Sequence, residues 1–286
     1  MALPSGYKRL LFIESSGGAY VDSRFKPNQD SVLELDVAFL GSAGSNIAGV
    51  RNTGSDATNR FGIITFGSAS KIGAFFRDSS IQAIAFDNNR HSYKLSKSGL
   101  YVDSTLYGSP NSGAFACTYN FILFGWNNGS GGIDATKSRV YSCKFSERGI
   151  YTRDYFPCQT DSGEIGLWDD VNSVFYGNAG TGAFTAGPVV VVIPEAPSNL
   201  HQTMSVRLAW AAVSGAERYN VYRDGTLLAT TTDLAYVDDT ASENQEYTYG
   251  VSAVNSAGES PKTTISVYTK SGYFLYKPYV ESANFP

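Results

Sequence analysis

Hydrophobic and polar residues alternate with a period of two along most of the chain, the signature of half-buried β-strands. Val32, Glu34 and Asp36 share one face of a strand, and Leu33, Leu35 and Val37 share the other. The same beat returns at Phe61, Ile63 and Thr65, at Tyr93 and Leu95, at Phe121 and Leu123 against Ile122 and Phe124, and at Val140 and Ser142 against Tyr141 and Cys143. Between these runs lie turn-forming clusters at 41–45, 87–90, 98–99 and 127–132, rich in Gly, Ser, Asn and Asp. They predict a sandwich of two sheets over residues 1–188. A second set of alternations follows, with Val206, Leu208 and Trp210 on one strand face, Tyr219 and Val221 on the next, and Tyr247, Tyr249, Val251 and Ala253 on a third. Asp224-Gly225 between the last two supplies the positive φ of a tight hairpin.

The two sets are separated by a β-branched run closed by prolines. Pro188, Pro194 and Pro197 each remove a backbone donor and hold the chain extended. Residues 189–196 are therefore expected to link a larger module, 1–188, to a smaller one, 197–270. A tail at 271–286 follows. It is too apolar for a solvated segment, with Tyr273, Phe274, Tyr276, Tyr279 and Phe285 in 16 residues.

Composition narrows the picture. At 286 residues either module is long enough to bury its own core, and 17 % charged residues, 14 % aromatics and 29 glycines favour turn-rich β-structure over helical bundles. The expected fold class is all-β. A formal net charge of −4, with Lys and Arg mostly single or paired, gives no basic patch for phosphates, so nucleic acid is not an expected partner. The apolar run Leu10–Ile13 before Glu14 is too short for a signal peptide or a membrane span. Synthesis in a bacterial cytoplasm without a signal peptide, and no membrane insertion, are the expectations. Cys117, Cys143 and Cys158 match no zinc spacing, and His91 and His201 fall in different modules. No metal and no cofactor are expected.

The opening Leu-Pro-Ser-Gly-Tyr-Lys-Arg-Leu-Leu-Phe-Ile-Glu-Ser-Ser-Gly-Gly-Ala-Tyr-Val-Asp at 3–22 resembles the start of concanavalin A-like, laminin G-like jelly-roll domains of phage structural and prophage-encoded surface proteins. Tyr93-Lys94-Leu95 with Gly99-Leu100-Tyr101-Val102-Asp103 is similar to that family's central hairpin, 139–158 to its late strand pair, and 163–182 to its closing segment. In the smaller module, Pro-x-x-Leu at 197–200, the Trp210 strand, Tyr-x-Val-Tyr at 219–222 and the 247–260 segment running into Gly-Glu-Ser resemble a fibronectin type III domain. The resemblances imply a jelly-roll sandwich followed by a fibronectin type III sandwich and a short extended tail. They imply a bacteriophage virion surface protein, tail- or capsid-associated, homo-oligomeric or multi-copy in its assembly, that presents a lectin-like module for host-surface or glycan adhesion, with a host cell-surface glycan or receptor as partner.

Candidate residues follow from chemistry. Glycan recognition uses an aromatic face beside amides or guanidinium groups. Trp126 with Asn127 and Asn128 offers that combination, and Arg77 within Phe76-Arg77-Asp78 and, separately, Asn89 and Arg90 within Asn88-Asn89-Arg90 offer weaker versions. Jelly-roll glycosidases carry Glu-x-Asp-x-x-Glu on one strand, which Glu34-Leu35-Asp36-Val37-Ala38-Phe39 begins but does not finish, because Phe39 stands at the last acid. Glu164 to Asp169 lacks the middle acid. No catalytic residue is assigned and no enzyme is expected; a jelly-roll glycoside hydrolase and a purely structural decoration protein remain as alternatives. Tyr273, Phe274, Tyr276, Tyr279 and Phe285 are the expected docking residues toward other virion proteins, in an assembly of many copies.

Overall fold

The structure is a computed structural model; it describes residues 3–52, 58–111, 113–130, 132–203 and 206–270. The expected docking residues of the tail lie outside this set. Among the described residues there is no α-helix, only one 3-10 turn at Gly67–Ala69, and the rest of the regular structure is strand. The chain divides into two compact units between Val190 and Val191.

The larger unit contains two sheets. The first runs, strand beside strand, Thr105–Gly108, Gly99–Val102, Arg90–Ser96, Ser31–Phe39, Lys137–Glu147, Ile150–Thr160, Ile165–Asp169 and Val174–Tyr176, with Ile13–Ser16 against the start of Lys137–Glu147 and Tyr7–Arg9 against Ile150–Thr160. The second runs Ile133–Ala135, Gly125–Asn127, Asn46–Arg51, Arg60–Phe66, Lys71–Arg77 and Ser79–Ala85. Strand alternation sorts the side chains. Leu33, Leu35 and Val37 enter the core with Phe61, Ile63, Phe121, Phe145 and Tyr155. Each such side chain withdrawn from water contributes about 1.5–3 kcal/mol. Phe121 meets Phe61 at 6.1 Å and Phe145 at 5.0 Å, both edge-on, and so ties one sheet to the other.

Residues 121–124 depart from simple alternation. Phe121, Ile122, Leu123 and Phe124 are all buried, and Phe124 has φ +66°, so the segment is two short strands joined by a kink. The Phe124 carbonyl accepts the Thr136 amide at 2.8 Å, which holds the kink in place.

On the outward face of the first sheet, one half is sealed. Phe156, Cys158 and Trp168 form a second small core, covered by Leu3, Tyr7 and Phe175. The N-terminal segment thus closes the Ile150–Thr160 side and leaves the Ser31–Phe39 and Arg90–Ser96 strands open. Its end is stitched to the residues that follow the strand Phe184–Ala186, with Leu11 N donating to the Pro188 carbonyl and Val190 N to the Arg9 carbonyl, both at 2.8 Å. Residues 189 and 190 accordingly belong to the larger unit.

The smaller unit has a three-stranded sheet, His201–Gln202, Arg207–Ala209 and Ala235–Val237. A second sheet is ordered Thr226–Thr231, Arg218–Arg223, Glu246–Asn255 and Gly258–Glu259, with Thr263–Tyr268 also on Glu246–Asn255. Val206, Leu208, Trp210, Tyr219, Val221, Tyr249 and Val251 fill the space between them. Asp224 and Gly225 take φ +50° and +81°, the tight hairpin that the dipeptide predicts.

Candidate functional site

The open half of the first sheet's outward face carries a groove of about 440 Å³. Its side chains come from alternate positions of neighbouring strands. In register across the sheet, Glu34 faces Lys94 on one side and Lys144 on the other, while Asp36 faces Ser92 and Ser142. Tyr101 stands beyond Lys94 on the next strand. Small serines therefore make the floor, and larger groups rise around it.

Every charged group of the groove is held by a partner. Arg90 donates from two nitrogens to both Asp36 oxygens at 2.7 and 2.5 Å, and its guanidinium lies 4.0 Å over the Tyr141 ring. Lys94 meets Glu34 at 3.0 Å, and the Tyr151 hydroxyl donates to the other Glu34 oxygen at 3.4 Å. Lys144 donates to Asp154 at 2.8 Å, and that bond raises its pKa above the ordinary lysine value. Tyr151 reaches Glu34 from the Ile150–Thr160 strand, opposite to Tyr101, so two tyrosines approach the groove from its two sides.

Glu34 and Asp36 do project together, two residues and hence about 6.6 Å apart along the strand. Both Asp36 oxygens are occupied by guanidinium, and Glu34 is engaged by an ammonium and a phenol.

The residues singled out in the sequence do not gather into one site. Trp126 is 3 % exposed and lies on Gly49 and Gly62, with its ring edge-on to Phe75 at 6.0 Å. Its indole has no open face on which a sugar could stack. This corrects the reading of Trp126 as a platform. Asn127 and Asn128 hold their own loop: Asn127 Oδ1 accepts the Gly129 amide at 3.1 Å, and Asn128 Oδ1 accepts the Ser130 and Gly132 amides at 3.0 and 3.1 Å. Arg77 ends a strand of the second sheet at φ +56° and meets Asp78 at 3.1 Å. Asn89 bonds Asp87, and Arg90 borders the groove through Asp36. Ser92, Lys94, Tyr101, Ser142 and Lys144 were not selected from the sequence. Their signal is the polar position of each alternation, which carries no record of which strands become neighbours.

At the end of the same sheet, His91 Nδ1 lies 2.6 Å from Asp103 and Nε2 3.1 Å from Asp87. Burial alone would lower the imidazole pKa; the bonds to the two carboxylates outweigh it and raise the pKa. Among the described residues no group of three or more His, Cys, Asp or Glu could hold a metal ion, and no helix is long and apolar enough to cross a membrane.

No family model matches the chain. It is 36 % identical over 97 residues to a poly(3-hydroxybutyrate) depolymerase of Ralstonia pickettii, across 33 % of this chain and 19 % of that protein. It is 39 % identical over 87 residues to the tail tube protein of Bacillus phage SPP1, across 29 % of this chain and 33 % of that protein. The chain thus spans about a fifth and a third of the length of these relatives. Both matches are about as long as the smaller unit. Among solved structures, FN3tt is 29 % identical over 28 % of this chain and 99 % of its own, with a TM-score of 0.25. A Bacteroides ovatus protein whose carbohydrate binding is itself an inference is 11 % identical over 64 % of this chain and 62 % of its own, with a TM-score of 0.40.

Proposed function

We propose that the chain is a surface component of a bacteriophage virion, associated with tail or capsid, whose larger unit is a concanavalin A-like, laminin G-like jelly roll that contacts host-surface glycan. The smaller unit, of fibronectin type III kind, is the spacer. Residues 271–286 are the attachment element toward other virion proteins. The observation that carries the glycan reading is the groove on the open half of the first sheet: serine hydroxyls on its floor, tyrosines at both sides, and paired charges between them. Hydroxyl-rich ligands are bound by that mixture of hydrogen-bonding groups and flat aromatic faces. The likeness to a phage tail tube protein supports the virion reading.

The groove is a binding site rather than an active site on this reading, because its two adjacent carboxylates are engaged by cations. The test is a glycan array probed with the full chain and with Ser92→Trp, in which an indole fills the exposed floor. Glycan binding lost in the variant is the expected result. Binding that survives the filled groove, or none by the native chain, overturns the glycan reading, and in the second case a purely structural decoration protein replaces it. Labelling the chain in assembled particles tests the virion reading separately.

A further inference from the structure

We infer that the groove takes an internal stretch of a linear, uncharged polysaccharide rather than a single terminal sugar or an anionic polymer; this rests on the glycan reading above. A second hollow, also of about 440 Å³, continues the first along the same strands. The two share Lys94 and Tyr101, so they are consecutive chambers of one channel with Tyr101 standing at the junction. Their floor runs from Asp36 to Asp30 along the strand that begins at Ser31. Six residues of strand extend about 20 Å, long enough for several sugar rings in a row.

Charge decides what kind of chain. The lining of the two chambers holds three carboxylates, Asp30, Glu34 and Asp36, and three ammonium groups, Lys94, Lys97 and Lys144. Each is paired: Asp30 with Lys97 at 3.1 Å and with Arg148 at 3.0 Å, Glu34 with Lys94, Asp36 with Arg90, and Lys144 with Asp154. With three carboxylates against three ammonium groups the lining carries no net charge to attract an anionic polymer, and each ammonium already has a carboxylate partner. A neutral polyol needs no such attraction. It bonds the remaining lone pairs and N–H groups of paired residues and the serine hydroxyls without breaking an ion pair. An extended peptide is a poorer fit, because the strands beneath the groove have used their backbone groups in ladders with both neighbours.

The experiment is calorimetric titration of the full chain with maltohexaose, cellohexaose and chitohexaose, with the mono- and disaccharide of each, and, as the anionic probe, with hexagalacturonate. At least one neutral hexasaccharide should bind about tenfold or more tightly than its own mono- and disaccharide, a gap of about 1.4 kcal/mol. Tyr101→Ala should cost the hexasaccharide about tenfold while leaving disaccharide affinity within about twofold, since only the longer ligand crosses the junction. Ser92→Trp is the second variant, blocking one chamber without removing Tyr101. Equal affinity for short and long ligands, or preference for hexagalacturonate, with binding still lost in Ser92→Trp, overturns the linear neutral inference and leaves the glycan reading standing. Binding of no saccharide, or binding indifferent to Ser92→Trp, overturns both.

Discussion

Trp126 shows how one residue can be chemically suggestive and structurally committed. A Cβ on Gly49 would sit 2.1 Å from the indole, so the glycine is the space in which the ring lies. Gly49→Ala should therefore destabilise the larger unit by about 1–3 kcal/mol through overpacking, measured as a fall in the denaturant midpoint. Trp126→Ala should cost about 3–5 kcal/mol while leaving groove binding intact in whatever fraction stays folded. His91 is a different kind of residue, set by charge rather than volume. Its folded-state pKa is raised, so its contribution to stability is complete below the unfolded value of about 6.5 and is lost as pH rises through the folded value. Asp87 and Asp103 are lowered despite burial, because the hydrogen bonds they accept, from Asn89 and His91 and from His91 and Ser92, favour their ionised forms. Their contribution is present above about pH 3.8 and is lost as pH falls through their folded values. The cluster thus stabilises most between those limits. Thermal melts of the native chain and of His91→Phe should diverge most in mildly acidic buffer and converge above neutrality; a gap that widens with alkalinity would exclude this account.

At the scale of strands, period-two alternation revealed Ser31–Phe39, Arg90–Ser96 and the Asp-Gly hairpin of the smaller unit, because each has one face in a core and one in water. It failed at 121–124, where both faces are covered and the chain kinks at Phe124. It also could not find the groove. Glu34 and Asp36 were visible as adjacent acids, but what they do depends on Arg90, Lys94 and Tyr151, which arrive from strands on either side. Pairing between strands distant in sequence is decided by the packing of the whole core, and no local pattern encodes it. One consequence is testable on this element alone. Because Asp36 is bidentate to Arg90 and Glu34 is paired to Lys94, Glu34→Gln should leave no polysaccharide-cleaving activity to lose, and should alter glycan affinity only about two- to threefold, as expected for one hydrogen-bond acceptor exchanged for another. Turnover by the native chain that vanishes in Glu34→Gln would restore the hydrolase alternative.

For the whole molecule, the division between Val190 and Val191 predicts that damage to one unit should spare the other. Asp238 is fully buried, 2.7 Å from Arg223 and 2.6 Å from the Tyr249 hydroxyl, so Asp238→Ala leaves a buried phenol and a partly exposed guanidinium without their acceptor and should cost the smaller unit about 1–3 kcal/mol. Glycan binding by the larger unit should persist in that variant, read by the same titration. The tail makes the complementary case. Five aromatic side chains in residues 271–286 can each bury well over about 100 Å², and at about 25 cal/mol per Å² several such anchors outweigh the ordering of a short peptide. Truncation after Lys270 should then leave both melting transitions and the glycan titration unchanged while abolishing incorporation into particles. A truncated chain that still assembles but loses the smaller unit's melting transition would make the tail part of that unit's core. The attachment surface would then lie among the residues that the structure leaves exposed, with Ile150, 71 % exposed at a hairpin tip, the first place to substitute.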